Sequence, residues 1–245
     1  YARASGKVGV CIATSGPGAT NIVTGLATAY LDSIPLVAIS GQVPVANLGR
    51  DAFQEIDIVG VTMPITKYNA IVRKSEELVP MLRKAFAIAK NGRPGPVLID
   101  VPSDLQVKEL DYPELEEIKL PEVMKADEGI VEKAAAALNG AERPVLMVGG
   151  GAVTCAVEAE LMELAHKADL PVVSTLMGLG VYPGSDEHAI GLTGMHGHID
   201  CNLAVANADV LIVAGSRLSD RVTGDRNRYA GTKTIIHMDI DPSEL

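Results

Sequence analysis

The sequence is poor in aromatic residues and in cysteine. It has no Trp, two Phe and six Tyr, although 47% of its 245 residues are hydrophobic. The apolar content is therefore mainly aliphatic, which is typical of parallel strands buried on both faces. The three cysteines are odd in number and widely spaced. This pattern argues against a disulfide framework or a zinc site and favours free thiols in a reducing cytoplasm.

The sequence also lacks a basic surface and a signal peptide. Lys and Arg total 21 against 31 Asp and Glu, a net charge of −10. A nucleic-acid-binding protein usually has a basic patch, so no nucleic-acid partner is expected. The uncharged stretch 8–31 is long enough to cross a membrane. Because it contains Ser15-Gly16-Pro17-Gly18, a buried strand, turn and helix explain it better. We expect a cytoplasmic protein that does not enter the membrane.

Short apolar runs alternate with helical patterns along the whole chain. This alternation predicts an α/β fold with two consecutive domains, each with a mostly parallel sheet flanked by helices. A shift to Asp, Glu, Pro and Lys predicts a first domain at 1–103, a linker at 104–126 and a second domain at 127–245. Strands are expected at 8–13, 36–40, 97–101, 144–148, 171–174, 210–214 and 234–240. Helices are expected from the glycine-rich turn after the first strand to about residue 31, and at 76–90, 127–138 and 158–168. The segment 175–198 is expected to be irregular and glycine-rich.

Two loops of the first half follow predicted strands and are candidate ligand sites. Residues 15–21 lie between a buried strand and a helix, where α/β proteins bind ligands. Their spacing matches neither a P-loop nor a dinucleotide fingerprint, and a plain tight turn explains them equally well. In the loop 51–55, Phe53 and Gln54 suggest a pocket in a chain with few aromatics. The start of a solvated helix with one core Phe is the simpler interpretation.

The second half contains further turns of this kind. Three glycines at 149–151 follow a strand, which is a weak nucleotide-site signal by itself. Two arginines in 215–221 are suited to a phosphate or a carboxylate, although a surface salt-bridge cluster fits as well. Asp239 and Asp241 resemble acids that accept hydrogen bonds from ribose hydroxyls. The histidines in 194–198 have no neighbouring Cys or acid, so a metal site is not expected there.

Several motifs occur together in a defined order, and their combination is more specific than any one of them. They are Tyr-Ala-Arg-Ala-Ser-Gly-Lys at 1–7, Thr-Ser-Gly-Pro-Gly-Ala-Thr-Asn at 14–21, Gly-Gln-Val-Pro at 41–44, Asp-Ala-Phe-Gln-Glu at 51–55, Gly-Arg-Pro-Gly-Pro at 92–96, Thr-Leu-Met-Gly-Leu-Gly at 175–180, Gly-Met-His-Gly at 194–197, Asp-Arg-Val-Thr-Gly at 220–224 and His-Met-Asp-Ile-Asp at 237–241. The set resembles the thiamine-diphosphate enzyme superfamily. The last four narrow the resemblance to the catalytic large subunits of the acetolactate synthase family, over essentially the whole chain.

The resemblance implies a transferase that depends on thiamine diphosphate, FAD and Mg²⁺. Family members decarboxylate pyruvate and join the product to a second 2-ketoacid, either pyruvate or 2-ketobutyrate, in the first common step of valine, leucine and isoleucine biosynthesis. The chain would contain a pyrimidine-binding-type domain and a Rossmann-like FAD-binding middle domain. The family's activating Glu would precede Tyr1 and the Mg²⁺ ligands would follow Leu245. We therefore expect an inactive internal fragment of an enzyme that works as a homodimer or higher oligomer, with a small regulatory subunit as a further partner.

The resemblance also assigns roles to residues. Gln54 and Phe53 would face the thiamine cofactor, Lys67 would line the substrate channel with Pro44 and Ala52 at its rim, and Arg221 would pair with the second ketoacid beside Met195. The residues expected to contact FAD are Ser33, Arg93, Gly150, Thr175, Leu176, Thr193, Gly194, Met195, His196, Gly215, Ser216, Arg217, Leu218, Ser219, Asp239 and Ile240.

Three positions depart from the family pattern. Ser103 stands in place of the usual Lys, which alters the charge of the channel. Thr193 replaces a common Leu and Ser219 a common Asp, both in the expected FAD site.

Two other functions are alternatives to an acetolactate synthase. One is another thiamine and flavin enzyme, such as a pyruvate oxidase or a glyoxylate carboligase, and the other is a non-catalytic nucleotide-binding module. The motifs at 194–197 and 220–224 argue against the first alternative.

Overall fold

The computed structural model describes residues 1–110, 118 and 125–245. The chain forms two compact units, Tyr1–Val123 and Met124–Leu245. The remaining residues, 111–117 and 119–124, fall within the predicted linker and lie outside the described part of the chain.

The first unit is built on four strands with helices between them. Its strands are β1 (Gly9–Ala13), β2 (Leu36–Gln42), β3 (Tyr68–Ile71) and β4 (Pro96–Pro102). Its helices are α1 (Ala2–Ser5), α2 (Pro17–Asn21), α3 (Val23–Leu31), α4 (Ile58–Thr62), α5 (Leu78–Lys90) and α6 (Ser103–Gln106), with short 3-10 turns at Val45–Asn47, Met63–Ile65 and Ser75–Glu77.

The four strands form a parallel sheet in the order β1-β2-β4-β3. Strand β4 is buried along its whole length, and its side chains alternate between two cores because successive residues of a strand point to opposite faces. Val97 and Ile99 pack in one core with Ala85 of α5. Leu98 packs in the other with Leu26 of α3. The first unit is therefore a three-layer α/β domain.

The second unit repeats this arrangement with five strands. These are β5 (Pro144–Val148), β6 (Val172–Ser174), β7 (Ala189–Leu192), β8 (Val210–Ala214) and β9 (Thr234–Met238). Its helices are α7 (Glu128–Asn139), α8 (Gly150–Cys155), α9 (Glu158–Ala168), α10 (Ile199–Asn207), α11 (Asp220–Thr223) and α12 (Arg226–Ala230), with 3-10 turns at Leu176–Gly178 and Pro242–Glu244.

The second sheet is parallel and has the order β7-β6-β5-β8-β9. Leu146 and Val148 of β5 face a core that includes Leu161 of α9. Val145 and Met147 face the opposite core. The chain runs from β5 to one side of the sheet and later returns to pair β8 with the other side of β5. This strand order is that of a Rossmann fold, and it places a topological switch point between β5 and β8.

The predicted fold class is confirmed, because both units are parallel-sheet α/β domains with flanking helices. The prediction of an irregular segment at 175–198 was wrong, because it contains β7. That strand is hard to recognise since its pairing with β6 shifts register and Gly191 has a φ of 121°. Strand β3 and helix α10 were not predicted from the sequence either. In the described part of the chain, no helix is long and apolar enough to cross a membrane.

Candidate functional site

The turn after β1 meets the loop that carries Phe53 and Gln54. Gly16 has a φ of 58°, and a Cβ atom at this position would lie 2.8 Å from the carbonyl oxygen of Gln54. Gln54 is itself in the left-handed region, with a φ of 60°, a conformation that is costly for a residue other than glycine. The carboxylate of Glu55 accepts hydrogen bonds from the backbone N–H groups of Ala52 and Gly49, which lower its pKa.

These contacts place the Phe53–Gln54 pair at the carboxyl edge of the first sheet. Both side chains are exposed, and Phe53 is 88% accessible. An aromatic side chain presented to solvent beside a glycine turn is available to contact a ligand. The structure thus brings together the two loops that the sequence analysis identified separately in this half of the chain.

A buried carboxyl group lies behind this loop. Asp100 is 1% exposed. It accepts hydrogen bonds from the Ser40 hydroxyl, at 2.6 Å, and from the Gln42 amide, at 2.9 Å. Burial raises the pKa of Asp100 to about 6, against the lowering effect of these two bonds. The Gln42 amide also donates to the carbonyl oxygen of Ile56 at 2.9 Å. Gln42 therefore ties the sheet to the end of the Phe53–Gln54 loop.

Three predicted site residues of the first unit lie at its other edge. Ser33 precedes β2, Arg93 precedes β4 and Lys67 precedes β3. The Arg93 Nε donates to the Ser33 hydroxyl at 2.8 Å. The Lys67 ammonium donates to the carbonyl oxygens of Ile88, at 2.6 Å, and Asn91, at 2.5 Å. It therefore lies at the end of α5, and burial lowers its pKa. Within this unit, these three residues are not brought together with Gln54.

In the second unit, all the predicted FAD-contacting residues follow strands at the carboxyl edge of the sheet. Gly150 follows β5, Thr175 and Leu176 follow β6, and the remaining positions follow β7, β8 and β9. Open α/β sheets bind ligands at this edge, in the crevice at the switch point. The turns after β5 and β8 flank that crevice directly.

Close backbone packing shapes this crevice. A Cβ atom on Gly151 would lie 2.8 Å from the Cα atom of Gly215, and one on Gly178 would overlap the carbonyl of Val148. Gly215 has a φ of 60°, and its N–H donates to Met238 at 2.8 Å. Only glycine lets these main chains approach so closely. The loops after β5, β6 and β8 thus form one compact glycine-lined surface.

The loop after β7 is held by Asn202 of α10. The Asn202 carbonyl oxygen accepts from the Gly194 N–H at 2.9 Å and from the Thr193 hydroxyl at 3.0 Å, and its amide donates to the Gly194 carbonyl at 3.0 Å. On the other side, the Met195 N–H donates to the carbonyl of Arg221 at 2.8 Å, and an Arg221 guanidinium nitrogen lies 3.3 Å from the Met195 sulfur. Met195 and Arg221, 26 positions apart, are therefore neighbours.

The last strand completes the edge. The His237 ring lies 2.8 Å from the carbonyl oxygen of Ser216, which ties β9 to the loop after β8. Asp239 accepts from the Asp241 N–H at 2.9 Å. These contacts order the residues that follow β8 and β9 beside the crevice.

Three features of these edges were not predicted from the sequence: Asn202, Asp100 and the carboxylate role of Glu55. Asn202 lies on a helix that was not predicted, eight residues from its partner Gly194. Asp100 lies inside a correctly expected strand, where its partners come from a different strand. Gln42 belongs to a quoted motif but was assigned no role. A polar residue within an otherwise apolar strand is the one sequence signal that marks Asp100.

The chain thus contains two α/β domains, and the glycine turns of each domain lie at the carboxyl edge of its sheet. Residues 1–61 match the family of the thiamine pyrophosphate enzyme N-terminal TPP binding domain. Residues 131–245 match the thiamine pyrophosphate enzyme central domain. The chain therefore belongs to the thiamine pyrophosphate enzyme family, and it contains these two domains in the order that the resemblance implied.

Among curated proteins, the chain is similar over its entire length to acetolactate synthases. It is 50% identical to the probable acetolactate synthase large subunit of Methanocaldococcus jannaschii and covers 42% of that protein. It is 49% identical to the Corynebacterium glutamicum large subunit, covering 40%, and 43% identical to the Escherichia coli isozyme 3 large subunit, covering 43%. The chain thus spans less than half the length of these relatives.

Proposed function

We propose that this chain forms the thiamine-binding and central domains of an acetolactate synthase large subunit. The main support for the proposal is the contact between Met195 and Arg221 at the glycine-lined carboxyl edge of the second sheet. Both belong to the motifs that distinguish this family from other thiamine and flavin enzymes. The substrates would be pyruvate, with a second pyruvate or 2-ketobutyrate as acceptor.

In this proposal the carboxyl edge of the first sheet receives the aminopyrimidine of thiamine diphosphate. Bound there, the cofactor would supply the electron sink for decarboxylation. The chain's part is positional: Gly16 and Gln54 hold the turn and loop against each other, and the exposed Phe53 covers the reacting region. An ordered surface of this kind contributes by orienting the bound cofactor.

The second unit would bind FAD across its switch point. The glycine contacts between the loops after β5, β6 and β8 support this assignment, because dinucleotide cofactors need close backbone approach at that place. Asp239, after β9, is suited to accept a hydrogen bond from a ribose hydroxyl. The residues 175–176, 193–196 and 215–219 are proposed as further FAD contacts. Mg²⁺ would be bound by residues outside these 245.

Arg221 is proposed to bind the carboxylate of the second ketoacid. Its guanidinium is well exposed, with 71% of the side chain accessible, and a planar guanidinium matches a carboxylate with two parallel hydrogen bonds. The adjacent Met195 provides an adaptable apolar wall for the acceptor's alkyl group. Lys67 is proposed to lie on the path of the substrate.

The relatives are named large subunits, so we propose a smaller regulatory subunit as a partner and a homodimer as the minimum assembly. A cytoplasmic location is proposed as well. It suits a chain whose three cysteines, Cys11, Cys155 and Cys201, are free thiols.

The proposal is tested by assaying the full-length protein with pyruvate, thiamine diphosphate, FAD and Mg²⁺. The expected product is acetolactate, with acetohydroxybutyrate when 2-ketobutyrate is added. Hydrogen peroxide without acetolactate would indicate an oxidase and refute the proposal. Flavin binding without any conversion of pyruvate would favour a non-catalytic module.

A further inference from the structure

A polar cluster lies at the amino edge of the second sheet, opposite the proposed cofactor crevice. His166 belongs to the last turn of α9, and Glu187 and His188 directly precede β7. Each of these three side chains offers one ligand atom, and the three atoms lie within 4.8 Å of one another. Because 22 positions separate the two histidines, the cluster cannot be recognised from a short motif in the sequence.

The two imidazole rings share one carboxylate. Asp186 has one oxygen 2.9 Å from the Nε2 atom of His166 and the other 3.2 Å from the Nδ1 atom of His188. It also accepts from the Tyr182 hydroxyl, at 2.9 Å, and from the His188 N–H, at 3.0 Å. This backbone bond is the largest cause of the lowered pKa of Asp186. Asp186 is 12% exposed and thus a firmly held acceptor for both rings.

A carboxylate that bonds one nitrogen of a histidine orients the ring so that the other nitrogen can coordinate a metal. Here a single carboxylate binds one nitrogen of each of two histidines, and the ring centres lie 4.6 Å apart. The Nε2 atom of His188 now faces Asp169 at 3.1 Å. The Asp169 side chain is 98% exposed, so solvent can replace it as a partner and it can itself move toward a bound cation.

The geometry points to a divalent transition-metal site formed by His166, Glu187 and His188, with Asp186 as the carboxylate that orients both rings. Two imidazoles and one carboxylate favour Zn²⁺ over Mg²⁺ or Ca²⁺, which prefer oxygen ligands. Ligands about 2.1 Å from a tetrahedral Zn²⁺ are about 3.4 Å apart. The required closure is small, and His166 and Glu187 are exposed enough to make it.

Such an ion would tie the end of α9 to the segment before β7. The N–H of Val172 in β6 already donates to the carbonyl of His188 at 2.7 Å, so the site would also brace the start of β6. The inference does not depend on the proposed enzymatic activity, because the cluster lies away from the carboxyl edge.

The test is calorimetric titration of the intact, chelator-treated protein with Zn²⁺ in the presence of excess Mg²⁺. Mg²⁺ occupies oxygen-ligand sites and leaves imidazole sites open. We expect one Zn²⁺ at this cluster for each chain, and an anomalous diffraction peak at the zinc edge between His166 and His188. His166→Ala and Glu187→Gln should each weaken binding at least about tenfold, and Asp186→Asn by about 10–100-fold.

Two matched variants serve as controls. His198→Ala removes an exposed imidazole and Glu158→Gln an exposed carboxylate, both outside the cluster, and the affinity for Zn²⁺ should be unchanged. Since His166 and Glu187 are surface residues, their variants are expected to fold and keep the test decisive. No binding of Zn²⁺, equal affinity in His166→Ala, Glu187→Gln and the parent protein, or loss of binding in His198→Ala would overturn the inference.

Discussion

Gly16 lies directly against the backbone of Gln54, although 38 positions separate them. The space that a Gly16 Cβ would need is taken by the carbonyl oxygen and the Cβ of Gln54, at 2.8 and 2.9 Å. Both residues have positive φ angles. The Gly16 turn therefore packs against the costly left-handed conformation of Gln54 at the carboxyl edge of the first sheet.

Gly16→Ala should disturb this contact. The added methyl group meets main-chain atoms, which cannot rotate away, and φ remains positive. We expect the free energy of unfolding to fall by about 1–3 kcal/mol and thiamine diphosphate binding, measured by calorimetry on the full-length protein, to weaken. Gly25→Ala is the control, because Gly25 lies in α3 and a methyl group there would point into open space. It should raise stability by about 0.5–1 kcal/mol. Equal effects of the two substitutions would contradict the role assigned to Gly16.

Asp100 predicts a specific pH dependence of stability. Its folded-state pKa of about 6 lies above its ordinary value of 3.8, so the folded protein holds this proton more tightly than the unfolded chain. This tighter binding of the proton stabilises the folded protein fully below pH 3.8, and the stabilisation is lost as the pH rises to about 6. The free energy of unfolding should fall by about 3 kcal/mol over this range. Asp100→Asn should remove this component in urea titrations performed across that range. Asp51→Asn, at an exposed position, should retain it, and parallel pH profiles for Asp100→Asn and the parent would refute the assignment.

Gly178→Ala tests the glycine-lined crevice of the second unit. Its added Cβ would overlap the carbonyl of Val148, so the loop after β6 must move away from the end of β5. We expect weaker FAD binding, followed by flavin fluorescence, together with a loss of stability of about 1–3 kcal/mol. Gly184→Ala has open space at the same atom and should change stability by less than about 0.5 kcal/mol. Undiminished FAD binding in Gly178→Ala would argue against this surface as the flavin site.

Asn202→Ala removes three hydrogen bonds from the Thr193–Gly194 loop. We expect FAD affinity to fall about tenfold or more, which corresponds to the roughly 1–3 kcal/mol lost when such groups lose their partner. Asn207→Ala, in the same helix, removes one exposed bond to Leu203 and serves as the control. Asn202→Asp keeps the acceptor and loses the donor, so an intermediate affinity is expected. Identical affinities for all three variants would contradict a positioning role.

Arg221→Ala tests the proposed acceptor site. If the guanidinium binds the carboxylate of the second ketoacid, KM for 2-ketobutyrate should rise between about tenfold and a hundredfold. Arg221→Lys should recover only part of the loss, because an ammonium cannot make the paired contact. Arg228→Ala, an exposed arginine on α12, should leave KM unchanged. An unchanged KM in Arg221→Ala would exclude this residue as the carboxylate ligand.

The sequence alone predicted the α/β class and several elements closely. Strands β5 and β8 have the predicted bounds, 144–148 and 210–214, and α9 has the predicted bounds 158–168. These segments have a strong local signal, because a continuous apolar run or an amphipathic period is set by the residues of the segment itself. Strands β3 and β7 carry less of this signal, because Asn69 and Gly191 interrupt their apolar runs. The motifs likewise identified the family, since their order is a property of the chain.

Tertiary structure alone decided which distant residues meet. Several features join segments that are not adjacent in the chain. They are the insertion of β4 between β2 and β3, the switch point between β5 and β8, the Asn202 contact with Gly194, and the carboxylate shared by His166 and His188. Local periodicity indicates only on which face of a helix or strand a residue lies. The residues that it contacts there are determined by the packing of the whole domain. For this reason the sequence determined the kind of edge that would bind ligands, while the fold determined that Lys67, Ser33 and Arg93 lie at the opposite edge of the first sheet.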